Sequence, residues 1–171
     1  MSRDFPVKGL AELDRFLSAL PKNMQNAAYR TALTAAAKPI KDRARQLAPK
    51  RTGKMAKAIK TGSARQNPDG TFSIFIRLEG EHSFLGFFHE YGVQPHLINV
   101  KRPKAGEAKR SLKIEESFLS GPLQHPGHAA SPFMRPALDM EADNAVRAFG
   151  DRIRAYLEGK TGFAAPLDEA A

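Results

Sequence analysis

Apolar residues recur every three or four positions in three parts of the chain, a spacing that places them on one side of an α-helix. These parts are residues 4–20, the Ala-rich residues 22–47, and a last stretch that follows Pro136 and ends near Gly159. Pro39 lies inside the second stretch, so we expect a kink or break just before it. The pattern therefore predicts two N-terminal helices and one C-terminal helix.

Between the helical stretches the period changes to two. Apolar positions alternate over residues 72–78, which is typical of a half-buried strand, and a turn signal at residues 68–70 precedes them. We expect a hairpin connection at residues 80–82, a second strand over residues 84–91, and a short strand at residues 97–100. The predicted fold class is α+β, with the C-terminal helix packed on a small antiparallel sheet.

The length of the chain and the positions of its prolines and glycines predict its domain organisation. We expect one α+β domain over residues 1–160, with its N-terminal helix within residues 1–21 and a long loop insertion at residues 95–131. Residues 161–171 are expected to form a flexible tail. A short helix is expected from Lys54 through Ile59, with Thr52 as its cap.

Composition excludes several classes of protein. The 171 residues are 42% hydrophobic and 26% charged, which is typical of a globular domain. There is no cysteine, so disulfides, thiol nucleophiles and cysteine-ligated metals are excluded. Neither a secretory signal nor an apolar run of membrane-spanning length is found, and we expect synthesis in the cytoplasm and no membrane partner.

The net charge of +9 is unevenly distributed. Residues 38–65 contain ten basic residues and one acid, and a second basic run covers residues 101–113. Such surpluses indicate an acidic partner, either DNA phosphate or a neighbouring subunit. Few aromatics lie in residues 38–65, so any DNA contact should be non-specific. The candidate contact residues are Lys50, Arg51, Lys54, Lys57, Lys101, Arg102, Lys104, Lys109 and Arg110.

No arrangement of residues predicts catalysis or a cofactor. His89-Glu90 resembles the start of a zinc-protease helix, but Val93 stands where the second histidine is required. His125 and His128 could share a metal ion, although no further ligand lies nearby in the sequence. We therefore expect no enzyme, no metal and no cofactor.

The order of several short motifs resembles that of the phage neck family, the head-tail joining or tail completion proteins of long-tailed bacteriophages. The similarity spans about residues 25–150. After the Ala-rich helix come Ala48-Pro49, Thr52-Gly53, Met55 to Ile59, Glu90-Tyr91-Gly92, and Pro132-Phe133-Met134-Arg135-Pro136-Ala137-Leu138. We interpret Thr52, Gly53, Glu90, Tyr91, Gly92, Pro132, Phe133 and Pro136 as structural. In that interpretation Phe133 is a rigid apolar plug that fixes the last helix on the sheet, and Tyr91-Gly92 ends the second strand against it.

The resemblance implies a non-catalytic virion protein, made in the host cytoplasm, that forms an oligomeric ring at the head–tail junction. Its expected partners are its own copies, adjacent connector and tail proteins, and genomic DNA in the channel. Residues 101–124 form a longer link than in many relatives. The alternatives are a tail terminator ring protein, a small non-specific DNA-binding protein, and a metal-dependent hydrolase using His89, His125 and His128.

Overall fold

The computed structural model of the chain describes residues 17–80, 83–99, 112–114, 117–119 and 122–162. The predicted first helix over residues 4–20 lies outside these residues except for its last positions. The cations Lys101, Arg102, Lys104, Lys109 and Arg110, and the expected tail from residue 163 onward, also lie outside the described residues.

The described residues form helices and short antiparallel strand pairs, which confirms the α+β class. The helices are α1 (Lys22–Leu47), α2 (Lys54–Ala58), α3 (Ser83–Tyr91) and α4 (Met134–Thr161). The strands are β1 (Ile59–Thr61), β2 (Arg65–Gln66), β3 (Phe72–Ser73), β4 (Ile76–Leu78), β5 (His96–Ile98), β6 (Leu112–Ile114), β7 (Ser117–Leu119) and β8 (Leu123–His125). The pairs are β1 with β4, β2 with β3, β5 with β8, and β6 with β7.

Helix α1 is confirmed at its predicted bounds and is continuous through Pro39, so the expected break is wrong. Proline removes one backbone hydrogen bond from a helix interior. Packing compensates for that loss, because the buried face of α1 consists largely of alanines that let a second helix approach closely. The buried alanines are Ala28, Ala32, Ala37 and Ala44.

That second helix is α4, which runs antiparallel to α1. Ile153 and Leu157 pack with Ala28 and Ala32 near one end of the pair, and Ala137 packs with the last turn of α1 near the other. The predicted packing of the C-terminal helix on the sheet is found at its first turn, which reaches β1 and β4, and the rest of α4 packs along α1. The helix also continues past Gly159 and ends at Gly162, whose φ of 67° is the left-handed C-cap conformation.

The sheet next to this first turn differs from the predicted hairpin. The predicted strand over residues 72–78 is interrupted and forms β3 and β4, and β4 pairs with β1, in which Ile59 lies opposite Leu78. The short helix α2 stops at Ala58, one residue earlier than predicted, because Ile59 begins β1. The partner of β4 thus precedes it in the chain.

The predicted second strand over residues 84–91 is helix α3, so the hairpin connection at residues 80–82 is also wrong. Gly86 explains how a helix can lie so close to β4. A Cβ atom on Gly86 would lie 2.5 Å from Cδ2 of Leu78, closer than such atoms can approach without a shift. The absence of a side chain at this position lets α3 pack directly on Leu78.

The insertion predicted as a loop at residues 95–131 contains two strand pairs among its described residues. In the ladder of β5 and β8, His96 lies opposite His125, and an isolated bridge between Val93 and His128 extends the pairing. Gly127, between the end of β8 and the bridge residue His128, has a φ of 84°, a left-handed conformation that favours glycine. These partners are far apart in the sequence, so short-range patterns could not predict the pairing.

Candidate functional site

The two motifs that carried the family resemblance meet in space. The carboxylate of Glu90, at the end of α3, accepts hydrogen bonds from the backbone N–H groups of Phe133 at 2.9 Å, Met134 at 3.0 Å and Arg135 at 3.1 Å. The first N–H groups of a helix have no partner within the helix. Glu90 therefore caps α4 from a helix more than forty residues away in the chain.

The position of Glu90 at the start of α4 favours the ionised form of its carboxyl group. Partial burial acts to raise the pKa of the Glu90 carboxyl, but the three N–H groups and the nearby Arg135 outweigh that effect, so the pKa is lowered. The carboxylate is therefore ionised at neutral pH, where it also interacts favourably with the positive end of the α4 dipole.

Phe133 is buried, with 1% of its surface exposed, and packs with Ala44, Ala48, Ile59 and Ala137. It thus acts as the apolar plug that the sequence predicts, although it joins α4 mainly to the end of α1 and to β1. Tyr91 has a different environment and contacts Arg135. Its ring is 54% exposed and lies under the guanidinium of Arg135, 5.0 Å from the ring centroid.

The other motif residues that the sequence singles out have local structural roles. Gly92 follows α3 with a φ of 76°, and a Cβ atom there would lie 2.9 Å from both Ala130 N and His128 O. Pro132 is exposed and Pro136 is partly buried in the first turn of α4, as its third residue. Gly92 must therefore remain glycine for α3 to pass this close to the segment before α4.

Helix α3 exposes a cluster of aromatic rings, which we call the aromatic face: Phe84, Phe87, Phe88 and Tyr91. Their exposed fractions are 54%, 61%, 41% and 54%. The rings contact one another, with centroids 5.8 Å apart for Phe84 and Phe88, and 4.7 Å apart for Phe87 and Tyr91. Gly86 and Glu90 lie on the opposite side of the helix, which is turned toward the fold.

Sequence reasoning missed the aromatic face because it interpreted residues 84–91 as a strand. A signal was available, since positions 84, 87, 88 and 91 have the spacing of one side of a helix. Neither His89 nor Glu90 interrupts that side. A helix with its most apolar side in solvent is a candidate interaction surface.

The basic candidates that the structure describes are Lys50, Arg51, Lys54 and Lys57, which we call the basic arch. All four are exposed, and none forms an ion pair with any residue that the structure describes. The arch encloses Thr52 and Gly53, and Gly53 has a φ of 67° immediately before α2. Lys54 N–H donates only a long hydrogen bond, 3.4 Å, to Thr52 Oγ1, so capping by Thr52 is weak.

Other cations of residues 38–65 are used within the fold. Arg43 pairs with the buried Glu141 at 2.8 Å, and the pKa of Glu141 is lowered by hydrogen bonds from Asn144 and Arg43. Arg45 donates to the carbonyl of Ile59. Helix α2, which carries Lys54 and Lys57, contacts α3.

The candidate metal-binding histidines belong to two separate pairs. The His89 ring packs edge-on against that of His128, with centroids 5.1 Å apart, whereas His125 stacks on His96 at 5.0 Å. Across the residues that the structure describes, no three histidine, aspartate or glutamate side chains form a group that could hold a metal ion.

Comparison with known protein families identifies a similarity in the N-terminal half of the chain. Residues 11–92, a little under half of the chain, match the model of the HK97-gp10-like family, described as "Bacteriophage HK97-gp10, putative tail-component". The match confirms the resemblance to structural proteins of tailed phages. Searches of curated proteins and of solved structures returned no match. Among the described helices, none has the length and apolar character required to span a membrane.

Proposed function

We propose that this chain, similar over residues 11–92 to a phage tail component, is a structural subunit that assembles into a ring at the head–tail junction. In this proposal the ring joins the portal-side connector to the tail tube and catalyses no reaction. The main support for the proposal is the aromatic face of α3. A large apolar surface exposed to solvent is typical of an interaction site.

The size of the aromatic face supports this argument. A phenylalanine or tyrosine has about 200 Å² of surface, so four half-exposed rings present roughly 400 Å². Patches of about 300–600 Å² are the largest on typical monomers and are often functional. At about 25 cal/mol/Å², covering it contributes at most about 10 kcal/mol before the cost of association. Contact with a neighbouring subunit is a physical reason for keeping these rings exposed.

The basic arch supports a second contact. Four exposed cations that form no ion pair with any described residue repel one another, and a ring of subunits multiplies that charge around its axis. We propose that the arch faces either DNA in the channel or an acidic neighbouring surface. On the basis of the sequence, we propose the same contact for five cations of the insertion: Lys101, Arg102, Lys104, Lys109 and Arg110.

The arch also favours a second candidate function, a small DNA-binding protein that acts without sequence preference. Tight and steeply salt-dependent DNA binding by the isolated monomer would support that function. A ring subunit should bind DNA weakly until it has assembled.

The test uses a phage from which the gene for this chain has been deleted. The chain or a variant of it is then supplied in trans in the host. Supplying Phe87→Ser should leave separate heads and tails, because the aromatic face is weakened without disturbing the core. Phe75→Ser is the matched control, since Phe75 is 63% exposed but lies outside α3. Joined, infectious particles with Phe87→Ser at the control level would contradict the proposal.

A further inference from the structure

We propose that residues 163–171 of one copy bind the aromatic face of a neighbouring copy. This inference rests on the proposed homo-oligomer and names the contact that links its subunits. It assigns an occupant to the aromatic face from the chemistry of the surface, the composition of the segment, and the distance that the segment can reach.

The surface requires a ligand that is apolar in its centre and acidic at its edge. The aromatic face provides four exposed rings. Arg135 lies over the ring of Tyr91 at one end, and α2, which carries the exposed Lys54 and Lys57, packs alongside α3. Such a surface combines aromatic anchors, which contribute most of the binding energy at protein interfaces, with cations that favour an acidic ligand.

The segment that follows α4 has the complementary composition. Residues 163–171 contain Phe163 and Leu167 as apolar anchors, Asp168 and Glu169 as acids, and no basic residue. The other long segments outside the described residues do not fit, because residues 1–16 contain three basic and three acidic residues and residues 100–111 are strongly basic.

Distance determines which copy supplies the segment. Helix α4 has 28 residues and is therefore about 42 Å long. The aromatic face adjoins its first turn, through Glu90 and Arg135, whereas the segment leaves from its last turn. Leu167 can lie at most about 18 Å from Gly162. The segment therefore cannot reach the aromatic face of its own chain, but it can reach that of another copy.

A contact between two different surfaces of identical subunits is head-to-tail, and it closes into a ring when the rotation between neighbours allows. The four-ring surface alone is smaller than the interface of a stable dimer, about 1,200–2,000 Å² in total. We therefore expect the contact between one segment of residues 163–171 and one aromatic face to be weak by itself. It becomes effective when every subunit both provides a segment and binds one.

The test uses a fluorescent peptide of residues 160–171 and the full-length chain, with binding followed by anisotropy. The wild-type chain should bind, and Phe87→Ser should weaken binding by at least about tenfold. Phe75→Ser, at an equally exposed aromatic elsewhere, should leave binding unchanged. Failure to bind, or equal loss in both variants, would overturn the inference.

A charge exchange tests the rim. Lys54→Glu with Lys57→Glu should weaken wild-type peptide binding, and a peptide carrying Asp168→Lys and Glu169→Lys should restore it. No restoration would count against the assigned rim. If purified chains form rings while the peptide does not bind, this inference fails and the proposed function stands. If the peptide binds but no ring is found in any particle, the inference stands and the proposed function fails.

Discussion

Replacing Glu90 by glutamine should destabilise the chain, because this side chain links the end of α3 to the first three N–H groups at the start of α4. The carboxylate accepts three backbone hydrogen bonds of 2.9, 3.0 and 3.1 Å with its two oxygens. An amide retains one accepting oxygen, turns an N–H group toward the other donors, and removes the negative charge at the helix N-terminus. At least one N–H group of α4 then loses its partner.

The expected loss follows from these contacts. Leaving a partly buried donor without a partner costs about 1–3 kcal/mol, and losing the charge at a helix N-terminus costs about 0.3–1 kcal/mol. Since the site is only partly buried, we expect a total of about 2 kcal/mol. With a urea dependence of about 2 kcal/mol per molar, the unfolding midpoint should fall by about 1 M.

Urea unfolding followed by circular dichroism measures this shift. Glu79→Gln is the matched control, because it removes the same charge from a surface ion pair with Arg77 and Lys60. We expect a much smaller shift for the control, since exposed ion pairs contribute little. Equal midpoints for the two variants would refute the capping role of Glu90.

The dependence on pH gives a second measurement of the same contact. The pKa of Glu90 is lowered in the folded chain, with the three N–H groups overcoming the effect of burial. Its stabilising effect is therefore complete above the unfolded pKa of about 4.3 and is lost as pH falls through the folded value. The difference between wild type and Glu90→Gln should be constant from about pH 7 to pH 5 and should shrink below about pH 4. A difference unchanged at acid pH would exclude the charge as its source.

Further substitutions test the plug, the insertion and the basic arch. Phe133→Ala should lower the free energy of unfolding by about 3–5 kcal/mol in the same titration, whereas Phe75→Ala should change it little. Gly127→Ala should reduce the hydrogen-exchange protection of the Val93 amide, because its Cβ would lie 2.5 Å from Val93 O at a φ of 84°; unchanged protection would contradict this packing. Lys50→Glu with Arg51→Glu should leave the unfolding midpoint unchanged but impair assembly or DNA retention in particles, and normal particles would remove the proposed role of the arch.

The sequence predicts α1 and α4 well because each has a long period of about 3.6 residues. It does not predict that they pair with each other. The alanines at positions 28 and 32 indicate close approach by a neighbour, but their spacing does not indicate which element approaches. The sequence therefore predicts the contact of α4 with the sheet but not its longer contact with α1.

Helix α3 was predicted as a strand because a short apolar run fits both kinds of element. The close packing of Gly86 on Leu78 is a tertiary contact that a local pattern does not contain. The capping of α4 by Glu90 was unpredictable for a related reason, since nothing in a local pattern joins residues 43 positions apart. The motif residues Glu90 and Phe133 could therefore be identified from sequence, whereas their contacts and the aromatic face required the fold.

A reconstruction of the head–tail junction of the mature phage particle tests the central claim most directly. We expect several copies of this chain in a ring between connector and tail tube, each with Phe84, Phe87, Phe88 and Tyr91 covered by a neighbouring subunit. Absence of the chain from the particle, or a ring in which these four rings face solvent, would contradict it.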